Sequence, residues 1–517
     1  MNGLISTAER RSDTMKIAGL DIGTTGCKCT VFSPEGLALC RAYRDYPAVR
    51  GEGGHEIDAA AVMTQVYAVL AEAAAQHPDI AGVGVTSFGE SFVLAGADGA
   101  PLRPTLLYTD PRGAAECQAL SQRLGDRRIA AVTGLRPHEM YSLPKIMWVM
   151  RHEPQVWRAV KTIHLIQDYA VFCLTGKRQI DYSLAARTMA LDIQRLDWSE
   201  ELLSAAGVPR EMLPRPVAPG TAAGPLLPDM ARRLGLRPDT LVISAGHDQL
   251  TAAVGAGAFS PGVAVDGAGT VECLTPIFQG LPDMEKMFQG HFAVVPYVRP
   301  GQYVAYAFSY TGGALIQWCV EKLAGKEAEE ARRENISVNE YLERRSQSPT
   351  GLLVLPHFAG AATPYMDTGS RGAILGLTTA TAAADIYRGC MEGVAYEMLL
   401  NARALQGAGA RFTRLRATGG GARSREWMQM KADMLNLPVT ALKTADAGTV
   451  GCAMLTGVAV GLFKDLEEAA ARLVEERETF LPRPEMHEKY GALYQKYARV
   501  YQAVRPLTGP LPGKETL

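Results

Sequence analysis

At 517 residues the chain exceeds the size at which one hydrophobic core keeps growing, so at least two domains are expected. Hydrophobic content of 47%, charged content of 21% and a formal net charge of −1 fit a soluble globular protein with no global field for nucleic acid or acidic membranes. Nine dispersed cysteines without a CxxC pair and nine histidines without HExxH spacing exclude a disulfide framework or a clustered zinc site, and no apolar run approaches the ~20 residues that span a bilayer.

The opening MNGLISTAERRSD carries charges where a signal peptide needs an apolar core, so 1–14 reads as a disordered extension or a misassigned start before Met15. KIAGLD, IGTTG and CKCTVF (16–32) then give strand, glycine-bearing turn and strand. A helix is predicted from Asp58, its N-cap, to Gln76, and a strand over IAGVGVT from Ile80 to Thr86. The segment from Arg112 to Ala206 reads as mainly helical, and LVISA (241–245) as a buried strand running into a helix with Asp248 at the junction.

From Gly262 the pattern restarts: GVAVD, then GAGTVECL, then a long helical stretch over 315–345. RFTRLRAT leads into Gly419-Gly420-Gly421 and a helix from about Ser424 to Leu435. A final strand, PVTAL, precedes the small-residue helix TADAGTVGCAMLTGVAVGLF. Two halves with similar openings imply a duplicated α/β architecture with a boundary near Ser260-Pro261-Gly262, so domains are placed at 15–260 and 261–505, with a loose tail over 506–517.

Asp21 to Gly26 suits phosphate oxygens. Glycine lets the backbone approach, amides and the Thr24 and Thr25 hydroxyls donate, and Asp21 is a hard ligand for hydrated Mg²⁺. Lys28 adds a positive charge. Taken alone, these residues also read as an ordinary hairpin turn. Gly267 to Thr270 repeats the arrangement, and Gly419 to Gly421 gives a third place of close approach, which otherwise reads as a glycine surface loop. Asp248 is the candidate base for phosphoryl transfer to an alcohol. His247 reads as a hydrogen-bonded structural residue.

These segments resemble the FGGY family of carbohydrate kinases. MYSLPKIMWVMRH (140–152) matches the family's first signature, and RGAILGLTTATAAADIYRGCMEGVAYE (371–397) follows the second, with Gly389 and Cys390 at positions where other small or aliphatic residues are usual. DIGTT, AGHDQ, GAGT, TGGGARS and GTVGCA stand in family order over roughly 15–501. The resemblance implies two actin-like (ribonuclease H-like) domains flanking a nucleotide cleft, and ATP-dependent phosphorylation of a small sugar with Mg²⁺. Asp21 (near the metal), Gly23, Thr24, Thr25 and Lys28 would form the first phosphate loop. Thr270 would belong to the second, Gly312 and Gly313 would line the nucleotide site, and Gly420, Gly421, Ala422 and Ser424 would hold adenosine. Asp248 would be the base, with Gln249, Phe88, Glu90 and Asp110 at the acceptor.

TSFGESFVL and GTVE are similar to fuculokinases, whereas DYSLAARTMALDIQRLDWSEELL is similar to the xylulokinase and gluconokinase branch. A ketose such as xylulose or fuculose is therefore the expected acceptor, with an aldonate or polyol (gluconate, erythritol, glycerol) as the alternative. Gly89 stands where glycerol kinases carry arginine. Ala361-Ala362 replace a common Glu-Arg, and Ala268 a common serine. The resemblance implies a homodimer as one assembly, while the dispersed thiols, the net charge of −1 and the lack of a long apolar run imply a cytoplasmic enzyme with no nucleic-acid or membrane partner. A non-enzymatic actin-like ATP switch would share the phosphate loops without needing Asp248, Glu90 or Asp110. A pseudokinase sensor would not need Asp21, Thr270 and Asp248 together.

Overall fold

The computed structural model describes residues 15–51, 54–444 and 446–508. The expected extension over 1–14 and the tail beyond 508 lie outside the described residues. The chain forms two compact units. The first comprises the residues up to Phe259 together with Val294–Val304 and Asp446–Val474; the second comprises Ser260–Ala293, Ala305–Ala445 and the chain from Glu475. The segments 294–304 and 446–474 thus depart from the contiguous division drawn from sequence.

In the first unit, β1 (Lys16–Ile22), β2 (Gly26–Phe32) and β3 (Ala38–Asp45) form an antiparallel meander. The strand β4 (Ile80–Ser87) lies parallel to β1, β6 (Leu241–His247) parallel to β4, and β5 (Thr221–Pro225) antiparallel to β6, giving the order β5-β6-β4-β1-β2-β3. The apolar runs of β1, β2, β4 and β6 are buried as central strands require, while at the edges β3 is largely exposed and β5 half-buried to exposed. The helix Ala59–Gln76 covers the sheet and begins at Asp58, whose side chain accepts from the Ala60 amide at 2.9 Å.

The helix Ala447–Ala459 packs on the same sheet because small residues face small residues. A Cβ on Gly84 would stand 2.1 Å from Thr456 Oγ1, and one on Gly451 would stand 1.8 Å from the Thr251 carbonyl of the helix Asp248–Gly255. Only glycine permits that approach. This close fit is why a segment late in the sequence packs with the first unit.

The second unit repeats the pattern. Its sheet contains β7 (Gly262–Ala268), β8 (Glu272–Gln279), β9 (Gln302–Ser309), β10 (Phe412–Thr418), β11 (Val439–Leu442) and β12 (Glu476–Phe480), in the order β9-β8-β7-β10-β11-β12. Again a hairpin precedes two parallel strands and an antiparallel edge. The stretch expected as one long helix is three: Gly313–Leu323, Gly325–Arg333 and Val338–Arg345. Asn335 takes a left-handed φ of 56° and Ser337 caps the third. The last strand is β12, not PVTAL. Among the described residues no helix is long and apolar enough to cross a membrane.

Candidate active site

The turn between β1 and β2 is closed by Gly23 N donating to Gly26 O at 2.9 Å, and Tyr46 Oη donates to Gly23 O at 2.5 Å. Thr24 is half-buried and Thr25 exposed. Behind the turn, Lys28 Nζ lies 3.1 Å from Asp21 Oδ2 and 2.7 Å from Asp446 Oδ1, while Arg41 Nη2 reaches Asp446 Oδ2 at 3.5 Å. Burial pushes the Asp21 carboxyl above its ordinary range despite Lys28. Burial would lower Lys28, but Asp21 and Asp446 outweigh it and hold the ammonium above its usual value.

Asp248 opens the helix Asp248–Gly255 at the end of β6. The strand end is fixed from below: Asp181 Oδ1 accepts from the Ser183 and Leu184 amides, and Ser183 Oγ accepts from His247 N at 2.9 Å. The Asp248 side chain is 33% exposed, and its Oδ1 lies 3.2 Å from His247 Nε2. Burial of its carboxyl, then the nearby Asp21 and Glu90, push its pKa up to about 7. Burial, then Arg187, hold His247 well below its usual range, so the imidazole is neutral and not a second acid. Gln249 is half-buried beside Asp248.

The residues expected at the acceptor differ in what they offer. Phe88 packs into the first unit's core, so its ring belongs to the fold. Both Asp110 oxygens are engaged: Oδ1 accepts from Arg112 N and Nε, and Oδ2 from His55 N and Arg112 Nη2, all within 2.6–2.9 Å. Burial would raise this carboxyl, but Arg112 and the amides win and hold it at about 2. Below it, burial lowers Lys145 to about 8 while its ammonium donates to the Asp110 and Arg112 carbonyls. Glu90 is buried and accepts from Arg187 Nε at 2.6 Å.

In the second unit, Gly312 N donates to Thr270 O at 3.0 Å and Gly313 N to Gly269 O at 2.8 Å, so the loop and the following helix start are zipped together. Lys431 is buried and bonds Asp266 at the end of β7 (2.7 Å) and Glu272 at the start of β8, fixing both sides of the loop. Gly419 takes φ 91°, and a Cβ there would stand 2.6 Å from Ala268 O. The approach is to the Ala268 backbone, so it does not depend on the side chain that replaces the common serine. Ser424 Oγ caps the helix Arg425–Leu435 and donates to Glu343 Oε1 at 2.8 Å. A cavity of about 950 Å³ is lined by Thr270, Gly313, Gly420, Gly421 and Ser424. Gly312 and Ala422 are outside that lining; Ala422 is buried and its carbonyl accepts from Arg477.

Models of the N-terminal and C-terminal domains of the FGGY family of carbohydrate kinases match residues 16–255 and 268–460. The chain belongs to this family. It is an ATP-dependent carbohydrate kinase, and its two units have the family's actin-like fold. This FGGY kinase is 27% identical to the xylulose kinase of Bacillus subtilis over 500 residues, covering 96% of the chain and 98% of that protein. The xylulose kinase structure from Rhodospirillum rubrum superposes with a TM-score of 0.86 at 26% identity, covering 95% and 99% of the chains. The gluconate kinase structure from Lactobacillus acidophilus gives 0.86 at 23% identity, covering 96% and 99%, a likeness of fold.

Three residues that bond the candidate site residues or the loop beside them are not marked by the sequence: Asp446, Arg187 and Lys431. Asp446 precedes GTVGCA as the residue before a helix and carried that signal. Arg187 lies inside DYSLAARTMALD, where nothing local marks it as Glu90's partner 97 positions away. Lys431 reads as a surface residue of an amphipathic helix, yet it is wholly buried.

Proposed function

We propose that the kinase phosphorylates a ketose, with a pentulose such as xylulose as the first candidate, and that Asp248 is the general base. The observation that carries this reading is the carboxylate of Asp248 at a helix start, raised to about 7. Such a group is about half ionised at neutral pH and accepts a proton readily, the balance general-base catalysis needs. The acceptor hydroxyl loses its proton to Asp248 Oδ as its oxygen attacks the γ-phosphorus of ATP; the bond to the bridging oxygen breaks and ADP leaves. Neutral His247, 3.2 Å away, does not compete for the proton.

On this reading Gly23, Thr24, Thr25 and Lys28 hold phosphate oxygens, and Gln249 and Glu90 face the acceptor. Thr270, Gly313, Gly420, Gly421 and Ser424 hold the nucleotide in the second unit's cavity. Among the described residues no three His, Cys, Asp or Glu side chains gather as a metal cage. Mg²⁺ carried by a polyphosphate needs only one or two carboxylates, which Asp21 fits, and when bound it neutralises phosphate charge. On the same reading Asp110, engaged by Arg112 and the His55 amide, and Phe88, buried in the core, shape the acceptor wall.

A coupled ADP-release assay over pentuloses, deoxyketoses, aldonates and tetritols tests the reading. A pentulose or deoxyketose should give the highest kcat/KM; an aldonate or tetritol at the top would replace the proposed acceptor class.

A further inference from the structure

Glu90 and Arg187 form a buried pair beside Asp248. Glu90 holds φ 63°, a left-handed backbone that a non-glycine residue keeps only where its surroundings enforce it, and such positions gather at functional sites. The enforcement is visible. Ser142 Oγ donates to Glu90 O at 2.6 Å, and Arg187 donates to Glu90 Oε1 from Nε at 2.6 Å and again from Nη2. The guanidinium lies 5.1 Å from the Tyr141 ring centroid. A Cβ on Gly89 would stand 3.2 Å from Arg187 Cγ and 3.1 Å from His247 Nε2, and that nitrogen is 3.2 Å from Asp248 Oδ1. Glu90, Arg187, His247 and Asp248 are therefore contiguous.

We infer that the Glu90–Arg187 pair sets acceptor selectivity by charge: Glu90 occupies the guanidinium that would otherwise take a carboxylate, so uncharged sugars bind and aldonates are rejected. A planar guanidinium is the best side-chain partner for a carboxylate. An aldonate could reach it only by displacing Glu90, leaving a buried carboxylate unpaired. It would also bring another negative charge toward Asp248 and Asp21. This inference rests on the proposal that the acceptor binds at Asp248.

The test is calorimetric binding of D-xylulose and D-xylonate, equal in carbon number, to the wild type, Glu90→Gln, Arg187→Gln and the double variant. The wild type should prefer xylulose at least about tenfold. Glu90→Gln, which frees the guanidinium, should shift the preference toward xylonate by about tenfold or more, and adding Arg187→Gln should cancel that shift. Equal weakening of both ligands by Glu90→Gln, or a wild type that binds xylonate as well as xylulose, overturns the inference; the wild-type comparison stands even if a variant fails to fold. Turnover by Asp248→Asn separates the two ideas. If that variant stays active, the acceptor placement fails; if it is dead and the preference does not move, only the selectivity inference fails.

Discussion

Lys28 Nζ stands 2.7 Å from Asp446 Oδ1, joining a residue of the first hairpin to one that lies 418 positions later in the chain. The same ammonium faces Asp21 at 3.1 Å, so two carboxylates hold it from two directions. Asp446→Asn keeps the shape and removes one charge. It should lower kcat/KM for ATP by ~10- to 100-fold, the scale of misplacing a catalytic group by about 1 Å, while sugar affinity stays within about twofold. Initial rates at varied ATP with saturating sugar check this; an unchanged kcat/KM would make the pair ornamental.

The pH dependence follows from Asp248. A base must be ionised to accept a proton, and its carboxyl titrates at about 7 because burial, Asp21 and Glu90 disfavour the anion. Sugar kcat/KM should therefore rise about tenfold per pH unit below 7 and level off above it. A profile flat between pH 5.5 and 8 would show that proton loss from Asp248 does not limit the reaction.

Packing of Ala447–Ala459 predicts a reversal of helix propensity. Within a helix Gly→Ala ordinarily stabilises by ~1 kcal/mol. At Gly451 the added methyl would meet the Thr251 carbonyl, so Gly451→Ala should instead destabilise by about 2–3 kcal/mol and lower Tm by several degrees. Gly491 lies inside the helix Pro484–Tyr497 with nothing within 4 Å of an added Cβ, so Gly491→Ala should raise Tm slightly. Thermal unfolding of the two variants side by side distinguishes close packing from propensity.

Local chemistry made the turns and caps legible: the Asp58 cap, the Gly23–Gly26 turn and the strand running into Asp248 all follow from residue types over a few positions. The breaks in 315–345 were less visible, because they depend on Asn335 tolerating a left-handed backbone and Ser337 capping a new helix. The strand Glu476–Phe480 (ERETF) is charged because it forms a sheet edge, so it lacks the apolar run of its neighbours. Arg187, Asp446 and Lys431 gain their meaning from partners far along the chain, which spacing cannot reveal. Asp110 and Phe88, placed at the acceptor by the resemblance, likewise have partners that no local spacing reveals: Arg112 bonds Asp110, and Phe88 packs in the core.

On the proposed reading Asp248 takes the proton from a ketose hydroxyl. The most direct test is ADP release with D-xylulose by Asp248→Asn, with ATP binding measured on the same protein. Turnover should fall by ~10²- to 10⁴-fold with ATP affinity retained; turnover within a few-fold of wild type would remove Asp248 from the role of base.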